Sequence, residues 1–116
     1  MIATNRTRNA VLGDRVTWAG DSETRRRGLL GRSGLEPGEG IYIVPTQMIH
    51  MFGMKFPIDV AFLDREGKVL VIHHRLRPNR LSRFVLRAEG ALELPAGTLA
   101  ATGTEVGDRI RLEDPD

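Results

Sequence analysis

The apolar stretches of this sequence are short, and turn-forming residues separate them from one another. The longest uninterrupted apolar runs hold about four residues, as at residues 41–44 and 69–72, and thirteen glycines and six prolines are spread along the chain. Short apolar runs bounded by Gly and Pro favour β-strands, and they fall far below the roughly 20 residues of a membrane helix. We therefore expect a mainly β fold.

A β-hairpin is the strongest local prediction. Residues 58–63 and 69–76 are both apolar, and they flank the sequence Asp-Arg-Glu-Gly-Lys. Gly67 in this linker can adopt the left-handed conformation that a short turn with a bulge requires.

The remaining elements are short as well. Asp21 and Ser22 offer N-cap chemistry for a helix that we expect to run through Leu30, with Gly31 as its stop. A helical turn is expected between residues 95 and 102. Further strands are predicted at residues 15–18, 41–44, 84–86, 91–94 and 109–112. Together, seven or eight short strands and one or two short helices indicate an antiparallel sandwich or barrel.

Length and cysteine content limit the possibilities further. A chain of 116 residues fits one domain, residues 1–116, in which the first ten residues form an edge strand or a loose arm. The absence of cysteine excludes disulfides, thiolate zinc sites and a cysteine nucleophile. The N-terminal residues lack the apolar core of a signal peptide. We expect a soluble cytoplasmic protein that does not contact a membrane.

The charges are unevenly distributed although their sum is only +2. Residues 73–87 carry five arginines and no acid, whereas residues 88–116 carry seven acids and two arginines. Arginines can contact phosphates, but only Phe84 lies among them as a stacking platform, and Pro78 prevents a continuous recognition helix. We expect a solvated loop that balances the acidic segment, and we do not expect nucleic-acid binding.

Three sequence blocks resemble one family. Residues 49–64 read Ile-His-Met-Phe-Gly-Met-Lys-Phe-Pro-Ile-Asp-Val-Ala-Phe-Leu-Asp, residues 27–32 read Arg-Gly-Leu-Leu-Gly-Arg, and residues 92–97 read Leu-Glu-Leu-Pro-Ala-Gly, followed by Val-Gly-Asp. In this order they resemble the domain-of-unknown-function 192 family of small prokaryotic proteins. The resemblance implies a compact, mainly β sandwich or barrel and implies no activity. Met51 stands where close relatives carry threonine, and Gln47 near where several carry cysteine.

Asp59 is the first candidate for a functional side chain. It lies in a stretch that is apolar on both faces, so an ionised carboxylate there needs a partner or a cleft. Lys55, His50 and Arg32 are the candidate partners. One hypothesis makes Asp59 a binding-site anchor or a general base. The other, which we favour, makes it a structural carboxylate that accepts backbone N–H groups from the preceding turn.

The sequence Met-x-His-Met-x-x-Met, formed by Met48, His50, Met51 and Met54, is a candidate metal site. Thioethers and an imidazole can hold Cu(I), but methionine also commonly fills gaps in apolar cores. In an extended chain Met51 faces away from Met48 and His50, so the four side chains converge only if the chain bends at Gly53. We favour core packing and expect no metal or cofactor.

Three functional hypotheses follow. The leading one is a non-catalytic binding module for a small polar ligand or a protein partner. The second is a hydrolase or lyase that uses Asp59 or His50 as general base. The third is a structural or interaction protein without a pocket. Dinucleotide-binding, P-loop and serine-nucleophile motifs are absent from the sequence. The binding cleft of the leading hypothesis gathers Arg32, His50, Lys55, Asp59 and Glu93.

Overall fold

The computed structural model describes residues 1–115, which form eight strands and two short helices. The strands make a three-stranded sheet, in the order β2-β1-β8, and a five-stranded sheet, in the order β3-β4-β7-β5-β6. The prediction of a mainly β, sandwich-like fold is confirmed, and the sheets do not close into a barrel. The elements are β1 (Ile2–Asn5), β2 (Ala10–Gly13), β3 (Arg15–Ala19), α1 (Ser22–Arg27), β4 (Glu39–Ile43), β5 (Ile58–Leu63), β6 (Val69–Leu76), β7 (Gly90–Pro95), α2 (Thr98–Ala101) and β8 (Ile110–Glu113).

One strand pair departs from the antiparallel expectation. β3 and β4 run parallel, with Arg15 opposite Glu39 and Ala19 opposite Ile43. Parallel neighbours need a long crossover, and the chain between them supplies one that contains α1. At the other end of the fold, β1 lies in the middle of the three-stranded sheet, between β2 and β8, whereas the sequence indicated an edge strand or an arm for residues 1–10.

The predicted hairpin is confirmed. β5 pairs antiparallel with β6, and Gly67 in the connecting turn has a φ of +83°. The carboxylate of Asp64 stabilises this turn because its Oδ1 accepts the backbone N–H groups of Glu66 and Lys68, each at 2.9 Å. The Asp64 side-chain oxygen thus serves as the acceptor for backbone N–H groups that the tight turn leaves without a backbone carbonyl.

Two of the local predictions need correction. Helix α1 has the expected cap, with the Thr24 N–H donating to Asp21 at 2.8 Å, but it ends at Arg27 rather than Leu30. Gly28 adopts a φ of +45° there, and the helix buries none of its residues, so no packing extends it. Residues 84–86 form no strand: Phe84 and Leu86 are 64% and 76% exposed and find no strand partner.

The five-stranded sheet is buried on both faces, and every residue of its inner strand β5 is buried. On one face, Leu63, Leu92 and Leu94 pack with Ala3 and Ile110 of the smaller sheet. The other face is covered by segments that connect strands. The apolar layer there contains residues of the sheet and residues of the connecting segments. The sheet contributes Ile43, Ile58, Val60, Phe62 and Ala91, and the connecting segments contribute Leu29, Ile49, Met51 and Val85. A carboxylate on either face therefore lies in an apolar layer.

Asp108 links the beginning of the chain to its end. Its Oδ2 accepts hydrogen bonds from Asn5 Nδ2 at 2.9 Å, from Arg8 Nε at 3.0 Å and from the Glu105 N–H at 3.0 Å. The hydrogen bond from Arg8 is the main reason that the pKa of Asp108 is lowered to about 2. The ionised form of Asp108 is therefore the form that the fold stabilises.

We expect Asp108→Asn to lower the free energy of unfolding at neutral pH by about 1–2 kcal/mol, because it weakens charge-assisted hydrogen bonds. A lowered pKa in the fold gives stability that is present above the ordinary Asp pKa of 3.8 and is lost as the pH falls toward 2. Urea denaturation from pH 7 to pH 2 measures both effects. Glu105→Gln is the matched control: Glu105 also pairs with Arg8, at 3.0 Å, but its side chain is 71% exposed. Equal losses in the two variants would contradict the prediction.

Candidate functional site

A cavity of about 160 Å³ opens on the face of the five-stranded sheet that lies opposite the smaller sheet. Its walls come from residues within 25–30, which include the end of α1, and from residues within 43–54. Glu93 of β7 contributes the sheet side of the cavity. Arg25, Arg26, Arg27 and His50 line it as well, beside apolar side chains. A concave space with apolar walls and a few convergent polar groups is the usual form of a small-ligand site.

Glu93 lies in the middle of the central strand of its sheet, with Ile41 and Val60 as its neighbours on β4 and β5. The residue is only 5% exposed. Within residues 1–115, no hydrogen bond or ion pair involves its carboxyl group, and no solvent-inaccessible side-chain oxygen or nitrogen lacks a partner. The Glu93 carboxyl oxygens must therefore be reachable from the cavity.

Burial alone raises the pKa of Glu93 to about 8. Removing a carboxylate from water penalises its charged form, and no cation in the described residues offsets that penalty. Glu93 is therefore mostly protonated at pH 7. In that form it donates one hydrogen bond and still accepts others, which suits it to orienting a polar ligand.

Asp59 faces away from this cavity. It lies opposite Leu94 on β7, while its neighbour Val60 lies opposite Glu93, so the two carboxyl groups are on opposite faces of the sheet. The strand periodicity therefore separates Asp59 from Glu93.

The Asp59 carboxylate is occupied by backbone donors. Oδ1 accepts the Arg75 N–H at 2.9 Å, and Oδ2 accepts those of Gly97 and Leu99 at 3.1 Å and 2.9 Å. These donors come from the end of β6 and the start of α2, not from the preceding turn. Arg75 itself has a φ of +52°, a region that is unfavourable for a side chain of this size. Asp59 thus ties two neighbouring elements to β5.

The other candidate residues are divided between the cavity and the surface. His50 lines the cavity together with Glu93. Lys55 is exposed and does not line the cavity. Arg32 pairs with Glu39 at 2.8 Å beside the exposed loop that precedes β4. The five residues of the expected cleft are therefore not gathered in one place, and the cavity brings together two of them.

Met48, Met51 and Met54 line the cavity with His50, and Gly53 has a φ of +81°. Met51 belongs to the apolar layer on this face and Met54 packs against it, which agrees with the core packing that the sequence favours for them. Nδ1 of His50 accepts the Phe52 N–H at 3.3 Å, and the two rings stack with centroids 5.2 Å apart.

Glu93 is one of the residues of the predicted cleft, but its central position in the sheet is not evident from the sequence. In the sequence, Leu92-Glu93-Leu94 resembles the alternation of a half-exposed strand. Only the sheet order shows that β7 is central and covered on both sides. The available signal was an acidic residue between two short apolar stretches, at residues 91–92 and 94–96.

Two classes of feature are missing from the described chain. In residues 1–115, no three His, Cys, Asp or Glu side chains are grouped so that they could hold a metal ion. Within the same residues, neither helix has the length or the apolar character to cross a membrane.

Two solved structures share this fold. A crystal structure of a protein of unknown function from Novosphingobium aromaticivorans has a TM-score of 0.82 at 21% identity, covering 96% of this chain and 82% of that one. A second crystal structure, of a Sinorhizobium meliloti protein proposed to be a transcription regulator, has a TM-score of 0.78 at 27% identity. It covers 95% of this chain and 89% of that one.

Sequence comparison agrees with the structural likeness. A UPF0127 protein of Thermococcus sibiricus is 34% identical over 120 residues, which cover 94% of this chain and 73% of the relative. Residues 2–112 match the family DUF192, described as "Uncharacterized ACR, COG1430". The resemblance inferred from the three sequence blocks is confirmed: the chain belongs to the domain-of-unknown-function 192 family.

Proposed function

We propose that this chain is a non-catalytic binding module that takes a small polar ligand in the cavity beside Glu93. The observation that carries the proposal is a buried carboxyl group that opens onto a cavity and has no partner within residues 1–115. A buried polar group costs free energy unless something hydrogen-bonds to it. A ligand that bonds to Glu93 removes this cost, so the residue favours occupancy of the cavity.

The size and lining of the cavity restrict the ligand. A volume of about 160 Å³ is comparable to the roughly 150 Å³ of an engineered cavity that holds one benzene molecule. The walls include Leu29, Ile43 and Ile49, which offer only apolar contacts. Arg25, Arg26 and Arg27 line the cavity as well and can donate hydrogen bonds. A suitable ligand is therefore small and polar, with one group that bonds to Glu93 and acceptors for the arginines.

A protein partner is a second candidate, because apolar side chains are exposed at the edge of the cavity. Leu30 and Met48 both line it and are 38% and 44% exposed, and Phe52, stacked on His50, is 52% exposed. Clustered apolar exposure of this kind marks interaction surfaces. In that case a side chain of the partner fills the cavity.

A hydrolase or lyase has less support. The Asp59 oxygens already accept three backbone N–H groups, and Nδ1 of His50 accepts another, so neither candidate base is free. A general base needs a lone pair within reach of the substrate proton. A cytoplasmic location is part of our proposal and is supported by the absence of cysteine.

A thermal-shift screen of the wild type and Glu93→Gln tests the proposal. The probes are small carboxylic acids, amides, amino acids and nucleotides. A ligand at 100 times its Kd stabilises the folded state by about 2.7 kcal/mol, and we expect at least one probe to raise the Tm of the wild type by several degrees. Glu113→Gln, the same change on an exposed residue of β8, is the matched control.

The two variants separate the outcomes. A shift that disappears in Glu93→Gln and persists in Glu113→Gln supports binding beside Glu93. A shift that survives in Glu93→Gln contradicts the assignment of the site. If no small molecule shifts the Tm, the protein-partner candidate becomes the stronger one.

A further inference from the structure

A second concave region lies between the two sheets, on the face of the larger sheet opposite the cavity beside Glu93. This intersheet cleft has a volume of about 390 Å³, and residues of β3, β4, β5 and β8 and of the turn at residues 64–67 line it. Tyr42 belongs to the cleft, whereas its neighbour Ile41 lies opposite Glu93, so the two spaces are on opposite faces. The volume falls within the roughly 300–1,000 Å³ that is usual for small-molecule sites.

Two aromatic rings line the intersheet cleft side by side. Trp18 and Tyr42 occupy matching positions on the parallel strands β3 and β4, with ring centroids 5.2 Å apart. Two glycines leave room for the rings: a Cβ at Gly20 would lie 2.8 Å from Nε1 of Trp18, and a Cβ at Gly90 would collide with the Tyr42 hydroxyl. Trp18 is still 48% exposed, so the cleft presents an accessible aromatic surface.

The hydroxyl group of Tyr42 is available to an occupant of the cleft. The residue is only 4% exposed, and within residues 1–115 its hydroxyl makes no hydrogen bond. No solvent-inaccessible side-chain oxygen in that range lacks a partner, so the hydroxyl must be reachable from the cleft that it lines. Burial, together with the negative charges of Glu89 and Asp64, raises the pKa of Tyr42 to about 12. The hydroxyl is therefore protonated at pH 7, and it can both donate and accept a hydrogen bond.

The two carboxylates near Tyr42 have free acceptor oxygens. Asp64 uses only Oδ1 for the backbone N–H groups of its turn, which leaves Oδ2 available. The half-buried Glu89 side chain makes no hydrogen bond or ion pair within residues 1–115. Donors of a ligand in the cleft therefore meet acceptors that the fold does not use.

The charges around the intersheet cleft are of both signs. The charged side chains that line it are Asp64, Glu66 and Glu89 and Arg6, Arg65, Arg109 and Arg111. The arginines repel a cation and the acids repel an anion, whereas a neutral ligand with several hydroxyl groups is repelled by neither. Such a ligand donates to the carboxylates and accepts from the guanidinium groups. Both of these planar groups can bond to two neighbouring hydroxyls at once.

We propose that the intersheet cleft binds a pyranose sugar, with Trp18 against a face of the sugar ring and with Tyr42, Asp64 and Glu89 as partners of its hydroxyl groups. A pyranose carries C–H groups on its faces and hydroxyl groups around its rim. Its C–H groups are attracted to the negative face of an aromatic ring. The cleft offers both an aromatic surface and hydrogen-bonding side chains. No residue lines both this cleft and the cavity beside Glu93, so the inference does not depend on the function proposed for that cavity.

Fluorescence titration tests the proposal, because Trp18 is the only tryptophan of the chain and therefore reports on the cleft. The probes are glucose, galactose, mannose, maltose and cellobiose, and we expect at least one to change the emission in a saturable way. A disaccharide that binds more tightly than its monosaccharide identifies the occupant as part of a glycan chain, and equal affinities identify a free sugar. Choline, inorganic phosphate and L-leucine represent a cation, an anion and a zwitterion for comparison.

Three variants that retain Trp18 locate the binding. Tyr42→Phe removes a hydroxyl that has no partner within residues 1–115, and we expect it to weaken sugar binding about fivefold through the loss of one hydrogen bond. Glu89→Gln should weaken binding about tenfold, because the hydrogen bonds to the charged acceptor are lost. Glu36→Gln, the same change at an exposed position outside the cleft, is the matched control and should bind as the wild type does.

Saturation-transfer NMR provides an independent readout, because it detects a bound sugar that leaves the Trp18 emission unchanged. The proposal is overturned if neither method detects any of the five sugars. It is also overturned if Tyr42→Phe and Glu89→Gln both bind sugar as tightly as Glu36→Gln. Binding of choline, phosphate or L-leucine in place of every sugar would likewise show that the cleft selects a charged ligand.

Discussion

Asp59→Asn is expected to lower the free energy of unfolding by about 2–4 kcal/mol, because an amide cannot satisfy the donors that surround this carboxylate. Both Asp59 oxygens are acceptors for backbone N–H groups, and the residue is 0% exposed. In the variant, the amide NH₂ must face either the Arg75 N–H or the pair from Gly97 and Leu99. A donor then meets a donor in a place that water does not reach.

Urea denaturation at pH 7 measures the loss, and an unchanged m-value shows that the midpoint reports stability alone. Asp64→Asn is the matched control, because that carboxylate also accepts two backbone N–H groups but is solvent-exposed at the atoms involved. Water can replace a lost acceptor there, so we expect a loss below about 1 kcal/mol. Equal losses of stability in the two variants would contradict the inference that the buried Asp59 carboxylate holds β6 and α2 to β5.

The second large effect concerns Glu93 and pH. Its pKa is raised by burial to about 8 in the fold, whereas the ordinary Glu value is 4.5. Between these values, the folded protein retains a proton that the unfolded chain releases. The free energy of unfolding therefore falls as the pH rises through this window, at most by about 1.4 kcal/mol per pH unit, and levels off above it.

Glu93→Gln removes this titration while preserving the shape of the side chain. We expect the variant and the wild type to have similar stability near pH 5 and the variant to be more stable by several kcal/mol at pH 8 to 9. Urea midpoints from pH 5 to pH 9 measure the difference. His73, whose burial lowers its pKa, titrates in both proteins, so its contribution cancels in the comparison. Parallel pH profiles would show that Glu93 ionises in the fold as it does in the unfolded chain.

Local sequence signals predicted the parts of the fold that are set by local chemistry. The hairpin around Gly67 follows from one residue that tolerates a positive φ between two apolar runs, and the start of α1 follows from the capping side chain of Asp21. The predicted end of α1 and the predicted strand at residues 84–86 were wrong, because both features depend on tertiary packing. The parallel pairing of β3 with β4 likewise depends on a crossover path that periodicity does not encode.

The candidate site was only partly predictable for the same reason. Membership of Glu93 and His50 in one cavity could not be read from residues that are 43 positions apart, since it depends on the order of the strands. The separation of Asp59 from Glu93 was hidden too, because the register of β5 against β7 decides which face each carboxyl group takes. The packing of Met51 and Met54 in the apolar layer likewise depends on the segments that cover this face of the sheet.

The shallow packing of α1 has a consequence for dynamics. This helix buries none of its six residues, yet it forms part of the cavity wall, and only the following Leu29 is anchored in the apolar layer. Segments with little buried surface open at a small fraction of the free energy of global unfolding. The wall can therefore lift while both sheets stay intact. Under the proposed binding function, we expect a ligand to exchange with solvent on the timescale of a local fluctuation, independently of the stability of the β framework.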